Sequence, residues 1–246
     1  MPANGKRWGE DATLFPGWDK MGKAAYNSVV SPFTWVPVAG AAIVQIDNWD
    51  RKISKWASDK TPIFGSQENA NNWSNYLLYT SGALYATTAL LTPSGDMKGE
   101  WITDKMKGFI VGGAAIGLSE GTVGILQPAL NRERPDGSGQ SFPSGHATAV
   151  ASLSTLAAKN IGTMQLEKSA EIASDSALIL ITAGTAWARV EAKRHYPGDI
   201  LAGIAIGHFI SAFVNDAFLN LENSRAVVPD AEISKNGFLL SVKGNF

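Results

Sequence analysis

The sequence predicts an all-α protein, a helical bundle of about six main helices. Two features of its apolar stretches and the turns between them point there. The stretches are long and rich in Ala, Leu and Gly. They lack the period-2 alternation of a half-buried strand. Turn chemistry of the Pro/Gly/Asp/Ser type separates them, at TPSGD (92–96) and RPDGSGQ (134–140).

The first twenty residues carry Trp8, Phe15 and Trp18 among polar residues and read as an arm lying on the helical body. Helices are expected over 21–46, 70–92, 100–127, 145–160, 168–190 and 199–220. Pro32 and Pro37 interrupt the first, and Pro37, inside an apolar run, should kink or break it. Trp18, Trp35, Trp49, Trp56 and Trp73 read as core and surface-anchoring residues. The tail AVVPDAEISKNGFLLSVKGNF has two short β-prone runs around KNG. Asn-Gly signals a small C-terminal β-hairpin, and a loose coil is the alternative. Residues 1–220 thus read as one helical domain and 221–246 as an extension.

Composition narrows the function. A net charge of −1 over 246 residues gives no basic footprint for nucleic acid. With no cysteine there are no disulfides and no thiolate metal sites. The opening MPANGKRWGEDATLFPGWDK lacks the apolar stretch of a secretory signal, so no signal segment is read in it. Residues 24–46, 76–95 and 200–214 lack charge for a long way, but Ser, Thr, Gly, Asn, Gln and Pro dilute them. Mean hydropathy is −0.03. A bilayer helix needs about 20 predominantly apolar residues. The expectation is a soluble or peripherally attached protein.

Three stretches carry chemistry. In QPALNRERP (127–135), Gln127 and Arg134 are two helical turns apart and would share a face if the helix continued. Pro128 weakens that alignment and Pro135 ends the segment. In SFPSGH (141–146), Pro143 stops what precedes it and Ser144 is a good N-cap for a helix running through GHATAVASLSTLAA. The free N–H groups and positive dipole of that helix start suit an anion such as phosphate. Gly145 allows close approach to the backbone, and His146 sits in the first turn. In ARVEAKRHYPGDILAGIAIG (188–207), Asp199 caps the last helix four residues after His195. That spacing can bring a carboxylate to one ring nitrogen and leave the other as nucleophile or ligand. A capped helix with incidental surface histidines is the alternative for each stretch alone. His208, nine residues after Asp199, falls on the opposite helical face and reads as a packed or capping histidine.

Taken together, Arg134, Pro135, the Pro-Ser-Gly-His run at 143–146, Arg189, His195 and Asp199 resemble the signature of the type 2 phosphatidic acid phosphatase superfamily. That superfamily includes lipid phosphate phosphatases, class A acid phosphatases and vanadium haloperoxidases. The resemblance covers roughly 104–214 and implies a bundle with its active site at one end, where three helix termini meet. It implies that Arg134 and Arg189, with the N–H groups of Ser144, Gly145 and His146, hold a phosphoryl group. His195 would attack phosphorus to form a phosphohistidine, oriented by Asp199. His146 would protonate the leaving oxygen and then activate water. The implied activity is a metal-independent phosphomonoesterase of the acid-phosphatase type, using no cofactor. Its substrate would be a lipid or isoprenoid phosphate at a membrane surface, on the periplasmic or extracytoplasmic side.

Two positions depart from the family pattern. Gln127 stands where a Lys is expected, and Ala188 where a Ser usually precedes the second Arg. Losing one cation near a developing phosphoryl charge corresponds to about 2–4 kcal/mol, by analogy with one oxyanion-hole donor. Arg132, Lys193 or Arg194 are candidates to fill the gap. Two alternatives share the same pocket. One is a vanadium-dependent haloperoxidase with His195 as ligand. The other is a phosphate- or phospholipid-binding protein with weakened turnover.

Overall fold

The computed structural model describes residues 8–95, 100–164, 166–219, 228–234 and 237–243. Eight α-helices occupy them, two more than expected: one predicted helix is divided and another is added. Ser31 separates α1 (Trp18–Val30) from α2 (Pro32–Ile43). Pro32 opens α2, where its missing N–H costs nothing. Pro37 lies inside α2, which runs on to Ile43 without a break. A 3₁₀ turn at Ile46–Asn48 places Asp47 and Asn48 at positive φ and redirects the chain into α3 (Trp49–Lys60). The sequence WDRKISKWASDK of α3 is too polar to stand out as an apolar run. The remaining helices are α4 (Gln67–Leu91), α5 (Glu100–Leu130), α6 (Gly145–Ile161), α7 (Lys168–Glu191) and α8 (Pro197–Val214), with a π turn at Asn215–Leu219. Two strands, β1 (Val228–Ser234) and β2 (Gly237–Lys243), pair antiparallel with Ser234 opposite Gly237. The Asn236 of the hairpin signal lies outside the described residues.

Helix α6 is the axis of the bundle, packed by α4, α5, α7 and α8. Its Leu156, Ala157 and Ile161 join Tyr85, Ala89, Val111, Ala115, Leu178 and Val214 in one core cluster. The contact of α6 with α8 is close because α8 presents glycines at i, i+4. A Cβ on Gly203 would lie 2.7 Å from the Ser144 carbonyl, and one on Gly207 would collide with that of Thr148. This approach brings the N-terminal ends of α6 and α8 together. The N-terminal arm is anchored by Trp8, which is buried edge-on against Phe109 at 5.6 Å between ring centroids. The ammonium of Lys105 sits 4.9 Å from its ring and donates to the carbonyls of Ala89 and Thr92.

The surface departs from the sequence expectation. Helix α5 and the continuous run Pro197–Leu219 are long and apolar enough to cross a membrane. Tyr79, Leu91, Ile110, Ile125 and Leu180 are each more than 60% exposed. Trp18, Trp35, Trp49, Trp56 and Trp73 are exposed by 43% or more, so they anchor a surface and leave the core to others. Many small residues, among them Gly112, Ala115, Ser119, Gly203 and Gly207, lie at helix contacts, while many large apolar side chains face outward.

Replacing Gly207 with Ala is expected to destabilise the fold by about 1–3 kcal/mol, because the added methyl forces α6 and α8 apart. Gly113→Ala, with no atom near the added methyl, should not. Thermal unfolding in mild detergent checks both.

Candidate active site

Helix α5 ends at Leu130, and Asn131 at φ 44° turns the chain into a return loop. The loop closes on itself: Arg134 N–H donates to the Gly139 carbonyl at 2.8 Å, and Ser141 N–H to that of Arg132 at 2.7 Å. A cis Phe142–Pro143 bond leads to Ser144, whose N–H donates to the Asp199 carbonyl at 3.0 Å. The Ser144 hydroxyl then accepts from Ala147 N–H at 3.4 Å, leaving Gly145 and His146 N–H at the open end of α6. Gln127 remains on α5 and Arg134 lies in the loop, so the two do not share a helix. The Gln127 amide donates to the Pro143 carbonyl at 3.0 Å, tying α5 to the segment that starts α6.

His195 is held where α7 gives way to α8. Lys193, at φ 59°, breaks the helix, and the N–H groups of Arg194 and His195 both donate to the Arg189 carbonyl. The imidazole is 2% exposed. Its Nδ1 lies 2.8 Å from the Ser141 carbonyl, which only accepts, so Nδ1 carries the proton and Nε2 keeps its lone pair. The Asp199 carboxylate stands 3.8 Å from Nδ1, an ion-pair distance without a hydrogen bond. Its oxygens instead accept from Arg132 Nη1 at 2.7 Å and from Tyr196 N–H at 2.8 Å.

Arg132 is therefore unavailable to replace the missing family Lys. It also donates to Asp50 of α3, and its guanidinium stacks 4.2 Å from the Tyr196 ring. Arg194 is paired with Asp136 at 3.0 Å. Lys193 is exposed. Arg134 donates through Nε to the Gln140 carbonyl at 3.0 Å. Arg189 is buried and donates through Nη1 to Asn71 Oδ1 (2.9 Å) and Ser74 Oγ (3.1 Å) of α4. Its Nε is buried without a hydrogen-bond partner among the described residues. His146 Nε2 meets Asn75 Oδ1 at 2.8 Å, again on α4.

These groups lie within electrostatic reach of one another. Burial lowers the pKa of His146 to about 4, and the charges of Arg189, His195 and Arg134 push the same way. Burial also lowers that of His195; Asp199 opposes the shift, while Arg189 and Arg134 add to it. Both imidazoles are neutral near pH 7.

Sequence reasoning missed Asn71, Ser74 and Asn75, the Asp50–Arg132 pair and the Ser141 carbonyl. The polar spacing i, i+3, i+4 on α4, a helix otherwise rich in aromatic and apolar residues, was the available signal for the first three. His208 lies away from the site, between Ser31 Oγ (2.8 Å) and Thr155 Oγ1 (2.9 Å). It borders a cavity of about 420 Å³ among α1, α2, α6, α7 and α8 that none of the predicted site residues line.

No curated protein sequence matches the chain. A crystal structure described as the first transmembrane PAP2 type phosphatidylglycerolphosphate phosphatase from Bacillus subtilis shares the fold. Its TM-score is 0.55 at 20% identity, covering 77% of this chain and 94% of that one. Residues 109–222, which include His146 and His195, match the model of the PAP2 superfamily. The matched segment and the helical architecture point the same way: residues 109–222 are similar to the PAP2 superfamily, and the chain shares the fold of that phosphatase.

Proposed function

We propose that the protein is a phosphatase that hydrolyses a lipid phosphate monoester through a phosphohistidine at His195. The observation that carries this reading is the buried guanidinium of Arg189, whose Nε–H has no acceptor among the described residues, together with the His195 imidazole, whose Nδ1 is taken by the Ser141 carbonyl. A buried donor left unpaired is costly, and an anionic phosphoryl oxygen satisfies it. Arg134 and the N–H groups opening α6 supply further donors.

In the first step His195 Nε2 attacks phosphorus in line, the ester P–O bond breaks, and protonated His146 gives its proton to the leaving oxygen. The phosphorylated ring is cationic. Its Nδ1–H stays on the Ser141 carbonyl, and the Asp199 carboxylate offsets the charge. In the second step neutral His146 takes a proton from water as the water oxygen attacks phosphorus. The P–N bond breaks, phosphate leaves and His195 returns to neutral. A phosphate dianion between the guanidiniums favours the protonated form of His146, reversing the depression of its pKa in the ligand-free pocket.

The outward apolar side chains of α4, α5 and α7, with the exposed tryptophans, favour a substrate met at a membrane. The two candidate spans and the transmembrane phosphatase that shares the fold support membrane association. The site faces the extracytoplasmic side in this reading.

His195→Ala should abolish release of inorganic phosphate from a lipid phosphate in mixed micelles, and His146→Ala should lower it by about 10²–10⁴-fold. No release from any phosphomonoester by the unsubstituted protein would refute the phosphatase. NMR of the three histidines checks the electrostatics. Without ligand, His146 should not titrate between pH 6 and 8, the His195 transition should lie below that of a free imidazole, and vanadate should move the His146 transition upward. The chain has no cysteine, so Ser138→Cys in the loop beside the site reports its side. An impermeant maleimide should label it in intact cells.

A further inference from the structure

The catalytic segment of the family match begins at residue 109, yet both His146 and Arg189 are held from α4, which precedes it. Asn71, Ser74 and Asn75 recur at i, i+3 and i+4 and so share one helical face. Arg189 donates to the first two and His146 Nε2 meets the third. We infer that this polar face of α4 is a positioning wall for the reaction, with Asn75 setting the tautomer of His146 so that Nδ1 is the nitrogen that moves the proton. The inference rests on the phosphatase reading for its chemistry and on geometry alone for the tautomer.

Asn75 Oδ1 can only accept, so the ring nitrogen facing it carries a proton. That holds for the imidazolium, which has both N–H groups, and for one of the two neutral tautomers. Through the reaction the Nε2–H bond to Asn75 is therefore unbroken. The Nδ1–H bond breaks as the leaving oxygen gains its proton, and the ring is left neutral with a lone pair on Nδ1. The same nitrogen then takes a proton from water. One acceptor thus suits both half-reactions without rotation of the ring.

His195 is arranged in the opposite sense. The Ser141 carbonyl accepts from its Nδ1 and leaves Nε2 free. Each imidazole is fixed by a neutral acceptor, which sets a tautomer without the strong bias toward imidazolium that a carboxylate brings. The charged and titratable groups around His146 are Arg189 of α7, Arg134 of the return loop, His195, and Glu120 of α5. A Glu120 oxygen lies 3.5 Å from where a Cβ on Gly145 would stand. None of these supplies the acceptor at Nε2, so the tautomer depends on Asn75.

Asn71 and Ser74 have a complementary effect. They engage Nη1 of Arg189 and leave its Nε–H without an acceptor among the described residues. The guanidinium is held from behind while donors remain for the phosphoryl oxygens.

The test uses the full chain in mild detergent. Long-range ¹H–¹⁵N spectra of the histidine rings, assigned with His146→Ala, should show His146 protonated at Nε2 and not at Nδ1 near pH 7. Asn75→Ala should lose that preference, with kcat falling about 10–100-fold and KM changing less. The near-isosteric Asn75→Asp should move the basic limb of the kcat–pH profile up by about one to two units, because a carboxylate favours the imidazolium. An Nδ1–H tautomer in the unsubstituted protein would overturn the inference. So would an Asn75→Ala protein with unchanged ring spectra and an unchanged pH profile. The tautomer measurement needs no turnover, so an inactive but correctly protonated protein would refute the phosphatase and leave the wall standing.

Discussion

Arg132 places one guanidinium between two buried carboxylates, Asp50 of α3 and Asp199 of α8. Asp50 also accepts from Gly198 N–H at 2.7 Å, and Asp199 from Tyr196 N–H, so the first turn of α8 is gripped from two sides. Desolvating three charges is expensive, and such a bridge adds little net stability over an apolar replacement. Its effect is geometric. Either carboxylate left without Arg132 would be a buried unpaired charge, so α3, the return loop and the start of α8 occupy one arrangement. His195 lies three residues before Gly198 and inherits that arrangement.

Because Arg132 holds the scaffold, the other cations are left to the pocket. Arg189 is anchored at Nη1 and Arg134 at Nε, each by neutral acceptors, and among the described residues neither makes an ion pair, although the Asp136 carboxylate lies within electrostatic reach of both. Two such guanidiniums beside two neutral imidazoles make a pocket whose field favours an anion before any substrate arrives. Burial, with the same field adding to it, lowers the pKa of His146 and keeps its ring neutral near pH 7. Gln127, where the family has Lys, brings no charge to this balance. Its amide instead fixes the Pro143 carbonyl, one residue before the cap of α6.

The distribution of side-chain size follows from the same demand for closely set helix ends. The N-terminal ends of α6 and α8 can meet only where glycines replace side chains. Small and hydroxylic residues fill the interior, as in the buried Ser74, Ala147, Thr148, Ala151, Ser152 and Ser211. Large apolar residues are displaced to the outside. A hydropathy average cannot register this inversion, since it counts residues without regard to the face they occupy.

The helical class, the Ser144 cap and the helix starts at Gly145 and near Asp199 were legible in the sequence because they are local. Periodicity, capping and turn chemistry act over a few residues. The motif residues Arg134, His146, Arg189 and His195 were legible as types at fixed spacings. Which partner each would meet was not. The four-residue spacing of His195 and Asp199 suggested a hydrogen bond, but the carboxylate is engaged by Arg132 and a backbone carbonyl 54 residues away takes its place. Asn71, Ser74 and Asn75 offered only a polar i, i+3, i+4 spacing on one helix face, which does not say what that face meets. By itself, then, the sequence determined most of the helices, the Ser144 cap and the chemical groups brought to the site, while the cap of α8 is Tyr196 and the expected cap, Asp199, is its third residue. Tertiary structure alone decided which acceptor faces each ring nitrogen and which arginine stays unpaired, because hydrogen bonds between distant helices depend on packing in three dimensions.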